Sequence, residues 1–542
     1  MYKRNYYRAT WLLTALDAGF FTAMSFKPSF LKHTFSILFS FYYLFFTDAA
    51  EEKVRRYHKT LSVEVMRNSW DKVSYNPLLR NLSYLLQPKM SIRDIFTVDR
   101  PEYHKALPPV EIYRYYYKPK ETYADNDTIL LQIHGGGFVA MNPVCHEDPL
   151  CVYAQKTGLP IISINYKKAP EYPFPWPIEE CFDFYVTLVE SKGKNVGLKG
   201  DKDLNIILIC DSAGGNISCG VMFKIIAHNQ QLKNGTASSS SSHLHVPHTS
   251  SHIQNITTCP LTTPIQLPIS MILIYPVLDF EIACWMSPSQ LSLIRAESST
   301  NLFRTGSLDK IWQTKDHLHH AKPLSTEDDL LKKQSLWRKL LGMKPVQQQS
   351  IAERSGAVFD RKAWDSARVA MTSRMSHFND RVITPDLMLY IGPYHSPDFE
   401  TDYFISPILA PSDILAHFPK VYMMCGEKDP LVDDTILFAG RIRQAKQQYR
   451  HEHPMDTELP TGNEDVRVKF LEGISHAFLQ MMPFLPEGQQ AARTIADWIN
   501  EIASSVREDV SSGSESEHIA EIITSEKDMF RRRKKQLVTN LF

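Results

Sequence analysis

No Cys-x-x-Cys pair occurs among the eight cysteines (Cys145, Cys151, Cys181, Cys210, Cys219, Cys259, Cys284 and Cys425), which are scattered through apparent strands and helices. That spacing excludes a zinc ribbon and a small disulfide framework, and suits reduced, buried thiols. Charge of one sign is missing too. Lysine plus arginine total 60 and aspartate plus glutamate total 60, so no overall field favours nucleic acid or an acidic substrate. No apolar run reaches the ~20 residues that span a bilayer as a helix. The two strongest candidates, 10–26 and 35–46, are separated by Lys27, Pro28, Lys32 and His33, and Asp17 interrupts the first. No small-residue cleavage site follows them, which argues against a cleaved signal peptide.

What the N-terminus does carry is aromatics. Tyr42, Tyr43, Phe45 and Phe46 are of the types that favour a membrane interface, so 1–50 is expected to be a pair of membrane-associating helices. Three arrangements stay open for them: a monotopic or re-entrant anchor, a true span, or helices packed on the rest of the protein. Five Asn-x-Ser/Thr triplets begin at Asn81, Asn126, Asn216, Asn234 and Asn255, and would matter only in a lumenal domain.

The 542-residue length allows two to four average domains, or one α/β domain with large insertions. Residues 51–100 are mixed and charged and read as helices leading into the core. Short β-branched or aromatic runs then recur at 113–117, 129–133, 161–166, 206–209, 271–275, 421–424 and 466–470, with helical patterns at 178–190, 217–228 and 434–450 between them. Such alternation predicts an α/β fold, a mostly parallel central sheet with helices on both faces, over 51–506. Two interruptions are too polar for the core. Segment 230–266, with its serine run at 238–242, has the composition of a low-complexity surface loop. Segment 281–404 breaks the strand rhythm, carries helix-like stretches at 330–341 and 364–378, and is expected to be a partly disordered helical cap insertion. The tail, 507–542, is acidic and Ser-rich, ends in the basic run 531–535, and is expected to be disordered.

Two glycine-rich turns carry the chemistry. His134-Gly135-Gly136-Gly137-Phe138 and Asp211-Ser212-Ala213-Gly214-Gly215-Asn216 each follow an apolar β-rich run. Acyl transfer needs backbone N–H groups close to a carbonyl oxygen that becomes negative, and glycine lets the main chain approach that closely. It also needs one hydroxyl exposed on a sharp strand-to-helix turn, for which Ser212 is the candidate. A serine hydroxyl is hardly ionised at neutral pH, so a base and an orienting acid must follow. The chain offers Asp429 in the loop after strand 421–424 and His476 in the loop after strand 466–470, both at strand C-terminal ends where α/β crevices form. Asp429 is preferred over Asp433 and Asp434, which sit where a helix N-terminus draws capping carboxylates.

With these motifs in the order Ser, Asp, His, the chain resembles the hormone-sensitive lipase (GDXG lipolytic enzyme) family of α/β hydrolases, in a fungal-type form with N-terminal membrane-associating helices. The resemblance covers roughly 115–500 without the two insertions and includes Asn165-Tyr166-Lys167-Lys168-Ala169-Pro170-Glu171, Asp429-Pro430-Leu431 and Ser475-His476-Ala477. It implies a carboxylic-ester hydrolase with no cofactor and no metal, in which Ser212 attacks, His476 moves the proton and Asp429 orients His476. Gly135, Gly136 and Ala213 would donate to the oxyanion, with His134, Gly137, Asp211 and Gly214 supporting the turns. One departure is Cys210, where the family usually has glycine; a modest distortion of the nucleophile turn is expected there. The expected substrate is a hydrophobic or lipid ester at a membrane surface, with no nucleic-acid partner. The catalytic domain is expected to face the cytosol from the endoplasmic reticulum or a lipid droplet, with a cytoplasmic protein as the alternative. The competing readings are a soluble small-ester hydrolase and a non-catalytic membrane-tethered scaffold.

Overall fold

The structure, a computed structural model, describes residues 2–58, 63–237, 260–280, 390, 402–454, 465–508 and 523–524. Its centre is a nine-stranded sheet: β1 (Ile92–Val98), β2 (Val110–Tyr116), β3 (Thr128–Ile133), β4 (Ile161–Ile164), β5 (Asn205–Asp211), β6 (Ser270–Ile274), β7 (Lys420–Gly426), β8 (Val466–Leu471) and β9 (Ile523–Thr524). Their order is β1-β2-β4-β3-β5-β6-β7-β8-β9. The run from β4 through β8 is parallel, while β1, β2 and β9 add antiparallel edges. The central strands β3, β4 and β6 are buried at every position, as expected of strands covered on both faces, and their isoleucine-rich runs follow from that.

Twelve helices accompany the sheet among the described residues: α1 (Arg4–Ala23), α2 (Ser29–Phe45), α3 (Thr47–His58), α4 (Val63–Trp70), α5 (Lys72–Tyr75), α6 (Pro77–Leu86), α7 (Glu147–Thr157), α8 (Trp176–Glu190), α9 (Ala213–Ala237), α10 (Ser412–Ala416), α11 (Val432–Glu452) and α12 (Pro486–Glu508). The helical patterns expected at 178–190, 217–228 and 434–450 fall inside α8, α9 and α11. The expectation of helices throughout 51–100 holds to Leu86 and then fails, because 92–98 is strand β1. Only the ends of that edge strand are buried, so its sequence has no apolar run to announce it.

The N-terminal helices pack inward. Ala9 of α1 belongs to the main core, and Tyr6 and Leu13 lie against it, while Ala15, Ala18, Tyr43 and Ala50 form a small core between α1, α2 and α3. Asp17, which interrupts the first apolar run, accepts hydrogen bonds from Ser69 Oγ and Lys72 Nζ, each at 2.8 Å. The polar residue that breaks the hydrophobic pattern is thus the pin that fixes α1 to α4 and α5. Among the described residues, no helix is long and apolar enough to cross a membrane. The described cysteines, Cys145, Cys151, Cys181, Cys210, Cys219 and Cys425, are free thiols. Most of the expected low-complexity loop 230–266, the cap 281–404 apart from Tyr390 and 402–404, and the tail after 508 apart from β9 lie outside the described residues.

Candidate active site

Strand β5 ends at Asp211 and helix α9 begins at Ala213, leaving Ser212 alone to make the turn, with a φ of 49°. That left-handed conformation is sparsely allowed for a non-glycine residue and points the hydroxyl outward. The next helical turn must then pass very close to β3. A Cβ on Gly214 would lie 2.0 Å from the Ile133 carbonyl oxygen, so only glycine fits.

Ser212 Oγ lies 2.9 Å from His476 Nε2, and His476 Nδ1 lies 2.9 Å from Asp429 Oδ2. Three residues separated by up to 264 positions converge because β5, β7 and β8 run parallel and release their loops at the same edge of the sheet. Asp429 is fully buried, and its second oxygen accepts the Leu431 amide at 2.8 Å, which fixes the carboxylate's rotation. The acid and base loops are laced together: the Lys428 amide donates to the Ile474 carbonyl at 2.8 Å, and Ser475 Oγ donates to the Lys428 carbonyl at 3.0 Å. Asp433 and Asp434 fall in the first turn of α11, as the capping argument expects.

The glycine-rich loop is held from below. His134 is buried and stacked on Tyr166 with ring centroids 4.6 Å apart; its Nδ1 donates to the Gly135 carbonyl at 2.6 Å. Burial holds its imidazole well below the ordinary histidine range, so it is neutral and shapes the loop. Gly136 has a φ of +126°, and a Cβ there would lie 2.1 Å from the Ala140 carbonyl oxygen. The expectation that Gly135 donates to an oxyanion is corrected: its amide donates to Asp211 Oδ1 at 3.0 Å, so that N–H is already spent. The amides of Gly136 and Gly137 make no hydrogen bond within the described residues, and both glycines line the cavity that contains Ser212. Ala213 opens α9, where first-turn amides have no intrahelical acceptor.

Asp211 is the hub of this support. Besides the Gly135 amide it accepts from His146 Nε2 at 3.1 Å and Gln480 Nε2 at 3.0 Å. Burial pushes its carboxyl up, but His146 and these donors more than compensate and hold it below the ordinary value. Burial likewise works against a charged His146, yet the facing Asp211 raises its pKa, and its Nδ1 faces the Asn142 carbonyl at 3.2 Å. Gln480 in turn accepts from Tyr275 Oη at 2.8 Å, and the Tyr275 ring meets His476 edge-on at 4.7 Å. His146, Gln480 and Tyr275 have no motif that sequence reasoning could use; each matters through a partner far away in the chain.

Cys210 is buried, its thiol pushed up to about 12 by burial, and Ser218 Oγ lies 2.6 Å from its sulfur. A thiol so held is inert, and it sits behind the turn that exposes Ser212. Asn216 is also fully buried and donates to the Ile405 carbonyl at 2.8 Å, which leaves no room for a glycan.

Segment 130–332 matches a protein family described as having the alpha/beta hydrolase fold. Hormone-sensitive lipase of Bos taurus is 24% identical over 475 residues, covering 77% of this chain and 58% of that one. Hormone-sensitive lipase of Mus musculus is 25% identical over 429 residues, covering 67% and 52%. The chain has the α/β-hydrolase fold and is similar in sequence to hormone-sensitive lipases. It spans about half the length of the curated relatives it matches. Among solved structures, an esterase of Pyrobaculum calidifontis aligns over 82% of this chain and 94% of its own, at 17% identity and a TM-score of 0.45.

Around Ser212 and His476 lies a cavity of about 940 Å³, at the large end of ordinary ligand pockets. Its walls are mostly apolar and combine N-terminal leucines, Leu13, Leu79 and Leu86, with Phe138, Met482 and Phe484 of the catalytic domain. Of the segment expected to be an anchor, α1 contributes Leu13, Leu16 and Asp17 to the wall, and α2 contributes none of its lining.

Proposed function

We propose that the protein is a serine carboxylic-ester hydrolase that cleaves hydrophobic esters through an acyl-enzyme on Ser212. The observation that carries this reading is the Ser212–His476–Asp429 chain, with both links at 2.9 Å, opening directly onto the large apolar cavity. Ser212 Oγ adds to the ester carbonyl carbon while His476 Nε2 takes its proton, and Asp429 stabilises the imidazolium that results. The negative oxygen of the tetrahedral intermediate accepts from the amides of Gly136, Gly137 and Ala213. Collapse breaks the bond to the alcohol oxygen, which leaves with the proton from His476. Water, deprotonated by His476, then adds to the acyl carbonyl and releases the acid and free Ser212.

Cavity size and lining favour a long acyl chain or a bulky apolar alcohol over a small soluble ester. Each buried methylene contributes ~0.8 kcal/mol, about fourfold in kcat/KM. We therefore expect kcat/KM on p-nitrophenyl esters to rise steadily from acetate to at least about octanoate, and Leu13→Trp, which fills the wall, to move the optimum to shorter chains. A profile that falls beyond butyrate would favour the small-ester alternative.

Attachment to a lipid surface of the endoplasmic reticulum or of a lipid droplet is part of the same proposal. It is supported by apolar side chains that the fold leaves in solvent beside the pocket wall: Phe41 and Phe45 on α2, 60% and 83% exposed, and Leu85 on α6, 83% exposed. The protein is expected to float with phosphatidylcholine and phosphatidylethanolamine vesicles in a density gradient, and Phe41→Ser/Phe45→Ser to remain at the bottom while still hydrolysing short esters.

A further inference from the structure

Helices α4 and α5 supply nothing to the triad, yet two charged side chains four residues apart, Arg67 on α4 and Asp71 at its junction with α5, reach into the glycine-rich loop. Arg67 Nε donates to the Val139 carbonyl at 2.8 Å, and a terminal nitrogen donates to the Ala169 carbonyl at 3.0 Å. The same guanidinium forks onto Glu171, at 2.9 and 2.8 Å. Four residues on, Asp71 Oδ1 accepts the Met141 amide at 2.5 Å.

These contacts fall where the loop is hardest to hold. Phe138 and Met141 both carry positive φ, 64° and 68°, and the amides of Val139 and Ala140 close the turn by donating to the Gly136 carbonyl at 3.2 and 3.0 Å. The turn has two exits, the Val139 carbonyl and the Met141 amide, and Arg67 takes one while Asp71 takes the other. Burial pushes the Asp71 carboxyl up to about 6, and the Met141 amide, Arg67, Lys168 and Lys72 act to keep it ionised. On either side of Asp71, Ser69 and Lys72 bond to Asp17 of α1, so the clamp is tied to the N-terminal helices.

We propose that Arg67 and Asp71 are positioning residues for the oxyanion loop, which they grip at the Val139 carbonyl and the Met141 amide, making the N-terminal helices part of the catalytic apparatus as well as a wall of the pocket. This rests on the serine-hydrolase reading above. Neither side chain touches the reacting atoms; both act through the placement of the Gly136 and Gly137 amides. A donor displaced by ~1 Å at the transition state loses up to ~100-fold in rate, while substrate binding in the apolar cavity is little affected.

The test compares Asp71→Asn with Asp71→Leu in the full chain. Both remove the charge and keep the forked shape, leucine at greater volume, and only asparagine keeps an oxygen that can accept the Met141 amide. With p-nitrophenyl butyrate, Asp71→Asn is expected within about 3-fold of the wild-type kcat, and Asp71→Leu about 30-fold below it, with KM changed by less than about 3-fold in either. Inhibition by a trifluoromethyl ketone, which forms a tetrahedral adduct, is expected to weaken in step with kcat. Equal kcat in the two variants, or a loss carried by KM, overturns the clamp. Should the leucine variant not fold, Arg67→Lys gives a second reading: the charge stays but the fork that bonds Val139 and Ala169 together is lost, and kcat should fall about 10-fold at unchanged KM. An unchanged kcat there overturns the proposal as well. A wild-type protein without Ser212-dependent turnover defeats the hydrolase reading itself; an active wild type with matching variants defeats the clamp alone.

Discussion

Ser212→Ala should abolish ester hydrolysis, lowering kcat by at least about 10⁴-fold while leaving the thermal midpoint nearly unchanged. The side-chain oxygen bonds only to His476 among the described residues, and the strained φ of 49° is held by the backbone on both sides, where the Ser212 amide donates to the Ile274 carbonyl at 3.0 Å. Alanine keeps those bonds, the buried β5 strand and the first turn of α9. What it removes is the one atom able to form the acyl-enzyme. Any turnover left would come from water bound beside an intact oxyanion loop. Comparison of kcat and of unfolding curves for the two proteins separates loss of chemistry from loss of fold.

Asp429→Asn should lower kcat by about 10⁴-fold, and the reason is a hydrogen atom on the wrong nitrogen. Asp429 Oδ1 accepts the Leu431 amide at 2.8 Å, and Oδ2 faces His476 Nδ1 at 2.9 Å. Asparagine must keep its oxygen toward the Leu431 N–H, which turns its NH₂ group toward His476. A donor there makes Nδ1 an acceptor and moves the imidazole proton to Nε2. The nitrogen facing Ser212 then cannot take the hydroxyl proton. Asp433→Asn, on the first turn of α11, should leave kcat within about 3-fold, because the carboxylate that faces His476 is that of Asp429. Steady-state kinetics at pH 8 on both variants decides between these two aspartates.

The parallel centre of the sheet was legible because strands buried on both faces must be written as apolar runs, and β3, β5, β6 and β7 are. Ser212, Asp429 and His476 could be placed because each lies in a short loop just after such a run. Sequence could not assign the glycine amides. Which N–H in Gly135-Gly136-Gly137 stays available depends on Asp211, a carboxylate on the adjacent strand that takes the Gly135 amide. Edge strand β1 was hidden because its middle faces solvent and mixes Ile95 and Phe96 with Arg93, Asp94 and Thr97, leaving no apolar run. The N-terminal runs were ambiguous for a physical reason: a helix that buries Phe20 and Phe21 against protein and one that meets lipid need the same apolar composition. The contacts that tie α1 to the rest of the protein, such as Asp17 with Lys72 and Asn5 with Glu487, join residues 55 and 482 positions apart.

The most direct measurement is labelling with a fluorophosphonate, followed by mass mapping of the modified peptide. The account predicts one adduct, on Ser212, that is lost in Ser212→Ala and greatly slowed in Asp429→Asn. An adduct elsewhere, equal labelling of Ser212→Ala, or no labelling of the folded wild-type protein would contradict it.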